Sequence, residues 1–320
     1  MIQSRRRVLE AGGTLLTTGL AGCSVESRSS GAAGRRGADA TVTVGAKNFV
    51  ENRILGHIAA VALSELTDTH VLPDVPSSYE RRNWTVLQSG PLDVYWEYTG
   101  TIYTSFAPTH ETLPADPQAL HDAVVREAEE FGVVVFPRAP FDNSFVLVAD
   151  RAWSEATGVR SLSDLAAHVS AGNTGFGVAV GNDFRDRPDG WPGLTTHYGF
   201  DAAKLDALEA NVQTVPIGIT YELVARDDAS VAMGFRTDPQ LGRDSLVVLR
   251  DDRDFFPTYN PVPVADAATV TRDSPVGEVL ARLGGRVGDE ETIRRLNGRV
   301  ADGTPPAQVA REFLEAQRVI

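Results

Sequence analysis

Cysteine and lysine are almost absent from this sequence of 320 residues. The single cysteine, Cys23, excludes an intramolecular disulfide. The only lysines are Lys47 and Lys204, so nearly all basic side chains are arginines. With 43 acidic residues against 30 basic ones, the formal net charge is -13. A nucleic-acid partner is therefore not expected, because binding to phosphates requires a basic surface.

The motifs of several enzyme classes are also missing. The sequence has no Walker A pattern, no H-E-x-x-H, no C-x-x-C and no G-x-S-x-G, and its six histidines are not spaced as metal ligands. We therefore predict no catalytic residue, no metal site and no cofactor. An extracellular enzyme acting on a small cationic metabolite is the alternative, but it would need a nucleophile or an acid-base pair that the sequence does not show.

The acidic composition indicates the environment of the protein rather than its fold. An acid-rich, lysine-poor sequence is typical of proteins from extreme halophiles, where salt screens the repulsion and carboxylates hold a hydration layer. An ordinary acidic soluble protein is the alternative.

The N-terminus carries the pattern of an export signal. The letters S-R-R-R-V-L from Ser4 resemble a twin-arginine signal, and the apolar stretch that follows is too short to cross a bilayer as a mature helix. That stretch ends in Leu-Ala-Gly-Cys, which resembles a lipoprotein cleavage site. We expect residues 1–22 to be a signal peptide and residues 23–40 a flexible tether. Cys23 would carry a lipid that anchors the protein on the extracytoplasmic face of the cell membrane.

Strand and helix patterns alternate from Thr41 onward. The letters T-V-T-V-G predict a strand that ends at Gly45, and apolar residues at helical spacing predict a helix from Val50 to about Thr67. The alternation continues along the chain, whose length suits two domains, and it predicts an α/β architecture with mainly parallel sheets. Ligands of such sheets collect at the carboxyl ends of the strands. The segment 181–200 is rich in Arg, Asp, Pro, Gly and Trp, which is typical of a loop at a binding site.

Six segments in unbroken order from about residue 41 to the C-terminus carry a resemblance to a known family. They are GAKNFVENRILG, DVYWEYTGT, FDNSFVLVA, RPDGWPGL with the YGF after it, DDRDFFPTYNPVPV and PPAQVAREFL. These segments resemble the glycine betaine/choline-binding proteins of osmoprotectant ABC transporters. The resemblance implies an α/β, two-lobed periplasmic-binding-protein (Venus-flytrap) fold with two crossovers and a cleft that closes on its ligand. It places lobe 1 at residues 41–143 and 252–320 and lobe 2 at residues 144–251.

The same resemblance implies a function. The protein would capture a quaternary-ammonium compatible solute, similar to glycine betaine, and deliver it to an ABC transporter. The permease and the ATPase would be separate chains, because the sequence has no nucleotide site. A choline- or carnitine-preferring protein of the same transporter type is one alternative, and a ligand sensor coupled to signalling is another.

The resemblance also assigns a ligand site residue by residue. The ligand's trimethylammonium group would lie in a cage of aromatic side chains, in which Phe145 and Phe235 stand where the family usually has tyrosines. The cage residues are Tyr98, Phe145, Phe235 and Tyr259, and the residues for the ligand's carboxylate are Lys47, Thr101 and Arg187.

Physical chemistry supports these residue types. A trimethylammonium group has no N–H to donate, whereas an aromatic face attracts it by about 0.5–2 kcal/mol. Choline would leave Lys47 and Arg187 without an anion in a closed cleft, so we expect glycine betaine to bind well above choline. Arg187 could instead pair only with Asp186 or Asp189, and any single aromatic side chain could be an ordinary core residue.

Overall fold

The computed structural model describes residues 41–78, 82–106, 110, 114 and 116–320. The predicted signal peptide, Cys23 and the tether lie outside the described residues. Within these ranges no helix has the length and apolar character needed to cross a membrane.

The strands form two sheets of five strands each. The strands of the first sheet are β1 (Thr41–Gly45), β2 (His70–Asp74), β3 (Val94–Tyr98), β4 (Val133–Val135) and β10 (Pro261–Asp266). The strands of the second sheet are β5 (Phe145–Asp150), β6 (Val178–Gly181), β7 (Val212–Val215), β8 (Val231–Phe235) and β9 (Leu246–Val248). The spatial orders are β2-β1-β3-β10-β4 and β7-β6-β8-β5-β9.

The helices lie between these strands and after β10. They are α1 (Val50–Leu66), α2 (Asn83–Ser89), α3 (Thr99–Thr101), α4 (Pro117–Glu130), α5 (Arg151–Thr157), α6 (Leu162–Ser170), α7 (Asn182–Asp186), α8 (Trp191–His197), α9 (Ala202–Glu209), α10 (Thr220–Ala225), α11 (Pro275–Gly284), α12 (Glu290–Ala301) and α13 (Pro306–Ala316). A π-helical turn, Ile102–Phe106, continues α3, and a 3₁₀ turn spans Pro239–Gly242. Several helices begin where an Asp or Ser side chain accepts a hydrogen bond from the first turn, as Asp116 does before α4 and Ser161 before α6.

The chain passes between the two sheets twice. Residues 136–144 lead from β4 to β5, and residues 249–260 lead from β9 to β10. We refer to each sheet with its helices as a lobe. Asn143 and Asp251, near which we placed the lobe boundaries, lie in these two connections.

The sheets are mixed, whereas the sequence predicted mainly parallel ones. In the first sheet β1 is parallel to β2 and β3, but β10 is antiparallel to β3 and β4. In the second sheet β6 is parallel to β7 and β8, but β5 is antiparallel to β8 and β9. The antiparallel strands β5 and β10 are the first strands after each crossing. They enter their sheets from the neighbouring lobe rather than through a βα connection within one lobe.

Apolar side chains cover both faces of the first sheet. One cluster includes Ile58 from α1, Leu280 from α11 and Phe313 from α13. A second cluster includes Trp84 and Leu120 from α2 and α4. The sheet is therefore a rigid layer buried between helices, and its strand ends are fixed in position where the lobes meet.

Candidate functional site

The aromatic residues of the predicted cage lie at strand ends where the lobes meet. Tyr98 is the last residue of β3 and opposes Pro261 of β10. Phe145 begins β5 and opposes Phe235, which ends β8. Tyr259 lies in the second connection, just before β10. Because strand register fixes these positions, side chains from distant parts of the sequence converge on one place.

The Thr-Gly-Thr turn after Tyr98 allows Tyr259 to approach. A Cβ atom at Gly100 would lie 2.8 Å from the Tyr259 ring, so this position excludes a side chain. The Thr99 hydroxyl accepts a hydrogen bond from the backbone N–H of Asn260 at 3.2 Å and donates to the carbonyl of Thr258 at 3.1 Å. These contacts hold the segment that carries Tyr259 against the end of β3.

All residues predicted for the ligand site line one cavity. They are Lys47, Tyr98, Thr101, Phe145, Arg187, Phe235 and Tyr259. The ring centroids of Phe145 and Phe235 are 5.3 Å apart, and those of Phe145 and Tyr259 are 5.5 Å apart. The volume of this cavity is about 50 Å³. A wider groove of about 520 Å³ shares Lys47, Thr101 and Arg187 with it. The structure therefore brings the predicted residues together between the two lobes.

The sequence prediction omitted an aromatic side chain that lines the same cavity. Phe49, which precedes α1, stacks on Phe235 with ring centroids 5.8 Å apart and lies 6.0 Å from the Tyr98 ring. Phe184, from the segment 181–200, also lines the cavity. Phe49 was detectable in the sequence, because it follows Lys47 by two positions in the segment after β1.

A buried carboxyl group holds the hydroxyl of Tyr98. The Tyr98 hydroxyl donates a hydrogen bond to Glu51 Oε1 at 2.7 Å. Asn143 Nδ2 donates to the same oxygen at 3.0 Å, and the Thr237 hydroxyl donates to Glu51 Oε2 at 2.5 Å. Burial raises the pKa of Glu51 to about 7, although the hydrogen bonds from Thr237 and Tyr98 act in the opposite direction. Glu51 therefore connects a cage wall with a lobe connection and with the second lobe.

Lys47 forms an ion pair with Glu97, which is 1% exposed. Glu97 also accepts hydrogen bonds from the Tyr95 hydroxyl at 2.9 Å and from the backbone N–H of Tyr98 at 3.0 Å. The Lys47 ammonium lies 5.4 Å from the centroid of the Tyr98 ring. Glu97 thus directs the lysine toward the cage.

Arg187 forms a two-pronged ion pair with Asp189. Its Nε donates to Asp189 Oδ1 at 2.7 Å, and its Nη2 donates to Asp189 Oδ2. The hydroxyl groups of Tyr259 and Thr104 donate to Asp189 as well. Burial alone would lower the pKa of Arg187, but its hydrogen bonds to Asp189 and the nearby charges of Asp189 and Glu97 together outweigh burial and raise that pKa. The guanidinium carbon lies 5.8 Å from the centroid of the Phe145 ring.

These ion pairs correct one step of the sequence reasoning. Lys47 and Arg187 each have a carboxylate partner in this structure, so a ligand without a carboxylate does not leave them without an anion. Of the two acids considered as partners for Arg187, the structure selects Asp189. The guanidinium nevertheless stays at the cavity wall, where it can also contact a ligand.

Two tryptophans near the site are packing residues. Trp96 is fully buried in the core of the first lobe, and Trp191 is buried in the core of the second. In the part of the chain that the structure describes, no three His, Cys, Asp or Glu side chains are grouped as metal ligands.

Comparison with known proteins places this arrangement in a family. Residues 40–316 match the family model described as the substrate-binding domain of an ABC-type glycine betaine transport system. The description is that of a solute-binding component of an ABC transporter. This match confirms the resemblance on which the site was predicted.

Two relatives and one solved structure illustrate the match. The chemotactic signal transduction system substrate-binding protein CosB of Halobacterium salinarum is 32% identical over 82% of this chain and 79% of its own length. A glycine-betaine-binding protein of Pseudomonas aeruginosa is 29% identical over 88% of this chain and 89% of its own length.

A crystal structure described as a glycine betaine/carnitine/choline ABC transporter superimposes with a TM-score of 0.65 at 24% identity. The superposition covers 87% of this chain and 99% of the solved chain. This likeness confirms the predicted two-lobed periplasmic-binding-protein fold. The chain therefore belongs to the family of substrate-binding domains of ABC-type glycine betaine transport systems.

Proposed function

We propose that the aromatic cavity binds a short zwitterion with a quaternary ammonium group, glycine betaine or a close relative, for delivery to an ABC transporter. The observation that carries this proposal is the layout of the cavity. Aromatic rings from both lobes line it, together with Lys47, Thr101 and Arg187.

The aromatic rings suit the ammonium end of such a ligand. A trimethylammonium group spreads its positive charge over methyl groups and cannot donate a hydrogen bond, so ring faces bind it better than polar groups do. Phe145 and Phe235 keep these faces although they lack the hydroxyl groups. The hydroxyls of Tyr98 and Tyr259 are engaged by Glu51 and Asp189, so the tyrosines contribute their rings to the cavity.

The cationic side chains suit a carboxylate at a short distance from the ammonium group. Lys47 lies 5.4 Å from the Tyr98 ring and Arg187 lies 5.8 Å from the Phe145 ring, so both cations are close to the cage. In glycine betaine a single methylene group separates the two charged ends, which fits this spacing better than the longer carnitine does.

A preference for betaine over choline has to come from spare hydrogen-bond donors. Lys47 has three N–H groups and Arg187 has five, and the carboxylates of Glu97 and Asp189 use only part of them. A ligand carboxylate can accept hydrogen bonds from the remaining N–H groups, whereas the hydroxyl of choline is a weaker acceptor.

Calorimetric titration with glycine betaine, choline and carnitine tests the proposal. A matched pair of variants shows whether the cavity is the binding place. Phe235→Leu removes a ring face from the cavity, whereas Phe176→Leu changes a buried ring elsewhere in the second lobe. We expect the affinity for glycine betaine to fall severalfold in the first variant and to stay unchanged in the second. Equal affinities in both variants would show that the ligand binds elsewhere.

The remaining features of the proposal concern location. Attachment to the extracytoplasmic face of the membrane through a lipid on Cys23 follows from the lipoprotein pattern in the sequence. The permease and the ATPase would be separate proteins. The acidic, lysine-poor composition supports function in concentrated salt.

A second destination for the bound ligand is supported by one relative. The protein from Halobacterium salinarum is named for chemotactic signal transduction, and it is 32% identical to this chain. The loaded protein could therefore report to a chemotaxis receptor. Deletion of the gene distinguishes the two destinations. If the deletion strain no longer takes up betaine, the protein serves transport. If the strain takes up betaine normally but is no longer attracted to it, the protein serves signalling.

A further inference from the structure

A second cavity of about 210 Å³ lies between the lobes, next to the aromatic cavity. Phe49, Asn143 and Phe235 line both cavities and separate them. The walls of the second cavity come from the start of α1 and from α12 in the first lobe, and from residues 217–221 and 235–240 in the second. Any ligand in this cavity would therefore contact both lobes.

Two carboxyl groups line this second cavity. Glu51 comes from α1 and is 3% exposed. Asp238 follows β8, and its Oδ2 accepts hydrogen bonds from the Tyr221 hydroxyl and from the backbone N–H of Phe235, each at 2.8 Å. Its Oδ1 has no donor among the described residues. No Lys or Arg forms an ion pair with either carboxylate within the described ranges.

Asp238 lies close enough to Glu51 for its charge to act on the Glu51 carboxyl group. Burial raises the pKa of Glu51, and the nearby charge of Asp238 raises it further. Burial also raises the pKa of Asp238. Two acidic side chains at one cavity attract a positive charge to it.

Unpartnered polar atoms complete the lining of the cavity. Asn297 is 4% exposed, and its Oδ1 has no hydrogen-bond partner. Gln240 Oε1 and Arg53 Nε are likewise buried without a partner. A buried polar atom without a partner is unfavourable, so a cluster of them around one cavity indicates that the cavity holds a polar occupant.

We propose that this cavity binds an alkali-metal cation, Na⁺ or K⁺, which joins the two lobes. The carboxylates of Glu51 and Asp238 and the amide oxygens of Asn297 and Gln240 offer oxygen ligands, which suit a hard cation. Arg53 and several apolar side chains make up other parts of the lining. With the positive charge of Arg53, the two ionised carboxylates leave a formal charge of about -1, which matches a monovalent rather than a divalent ion. The volume also leaves room for water molecules around the ion.

The proposal does not depend on the solute in the aromatic cavity, so its test uses the protein without organic ligand. Thermal unfolding is measured in KCl, NaCl and N-methyl-D-glucamine chloride at equal ionic strength, because the last cation is too large for the cavity. We expect a higher Tm in KCl or NaCl. Equal values in all three salts would overturn the proposal and would leave the solute site unaffected.

Matched variants locate the effect. Asp238→Asn keeps the shape of the side chain and an oxygen for its hydrogen bonds but removes the charge, whereas Asp244→Asn removes an exposed charge from the same lobe. We expect Asp238→Asn to lose at least half of the Tm difference between salts and Asp244→Asn to keep all of it. If Asp238→Asn does not fold, Gln240→Leu removes an unpartnered oxygen of the cavity and should reduce the difference as well. If a folded Asp238→Asn or Gln240→Leu variant keeps the full Tm difference between salts, the assignment is overturned.

Discussion

Replacement of Glu51 by glutamine should remove a large pH dependence of stability. Glu51 is buried at the junction of the lobes, and its pKa is raised from the ordinary 4.5 to about 7, mainly by burial. In the unfolded chain the carboxyl group releases its proton near pH 4.5, whereas in the folded protein it keeps the proton up to about pH 7. The folded state therefore binds more protons in this window, and its stability falls as the pH rises.

The magnitude follows from the two pKa values. One pH unit corresponds to about 1.4 kcal/mol, so the ionisation of buried Glu51 lowers the free energy of unfolding by about 3 kcal/mol between pH 4.5 and pH 8. Glutamine does not ionise. Its altered hydrogen bonds to Tyr98, Asn143 and Thr237 change the stability by an amount that does not depend on pH.

Urea unfolding of the wild type and Glu51→Gln at several pH values in N-methyl-D-glucamine chloride measures this effect, because no alkali-metal cation then offsets the charge of Glu51. When the free energy of unfolding of one protein is subtracted from that of the other, the contributions of all other titrating groups cancel. We expect this difference to change by about 3 kcal/mol in favour of the variant from pH 4.5 to pH 8. Glu315→Gln, which removes an exposed carboxyl group, serves as the control. A difference for Glu51→Gln that stays constant with pH would refute the reasoning.

Three further predictions concern the ligand site and the anchor. Tyr98→Phe keeps the ring and should weaken glycine betaine binding less than Tyr98→Ala, which also loses a cation–π contact of about 0.5–2 kcal/mol; equal losses by calorimetry would argue against the ring as a cage wall. Arg187→Gln should reduce the affinity for glycine betaine more than that for choline, and equal reductions would exclude Arg187 as a carboxylate ligand. Cys23→Ala should move the protein from the membrane fraction to the medium, and its retention in the membrane fraction would disprove the lipid anchor.

The sequence was sufficient for the parts of the site that lie in characteristic segments. Tyr98, Tyr259 and Arg187 belong to segments of eight or more residues that resemble one family, so their convergence could be inferred before any coordinates. The helical spacing after Val50 also predicted α1 correctly. Strand β2 was missed, because it is a largely exposed edge strand that contains Pro73 and lacks the alternating apolar pattern.

The carboxylates around the site could not be predicted from the sequence. Glu51 lies in the first turn of α1, where an acidic residue ordinarily faces solvent and stabilises the helix terminus. Its burial depends on Thr237, which lies 186 positions away in the other lobe. The pair of Lys47 and Glu97 likewise joins residues 50 positions apart. Such contacts follow from the packing of the lobes and leave no local pattern.

The central claim is that aromatic faces recognise a positive charge in the cavity. Calorimetric titration of glycine betaine and of its uncharged-head analogue 3,3-dimethylbutyrate tests this claim most directly, because the two molecules share shape and carboxylate and differ in the charge of the head group. Several ring contacts of about 0.5–2 kcal/mol each predict that glycine betaine binds at least tenfold more tightly. Equal affinity for the two molecules would contradict the account, because it would show that the cavity selects for shape and carboxylate alone.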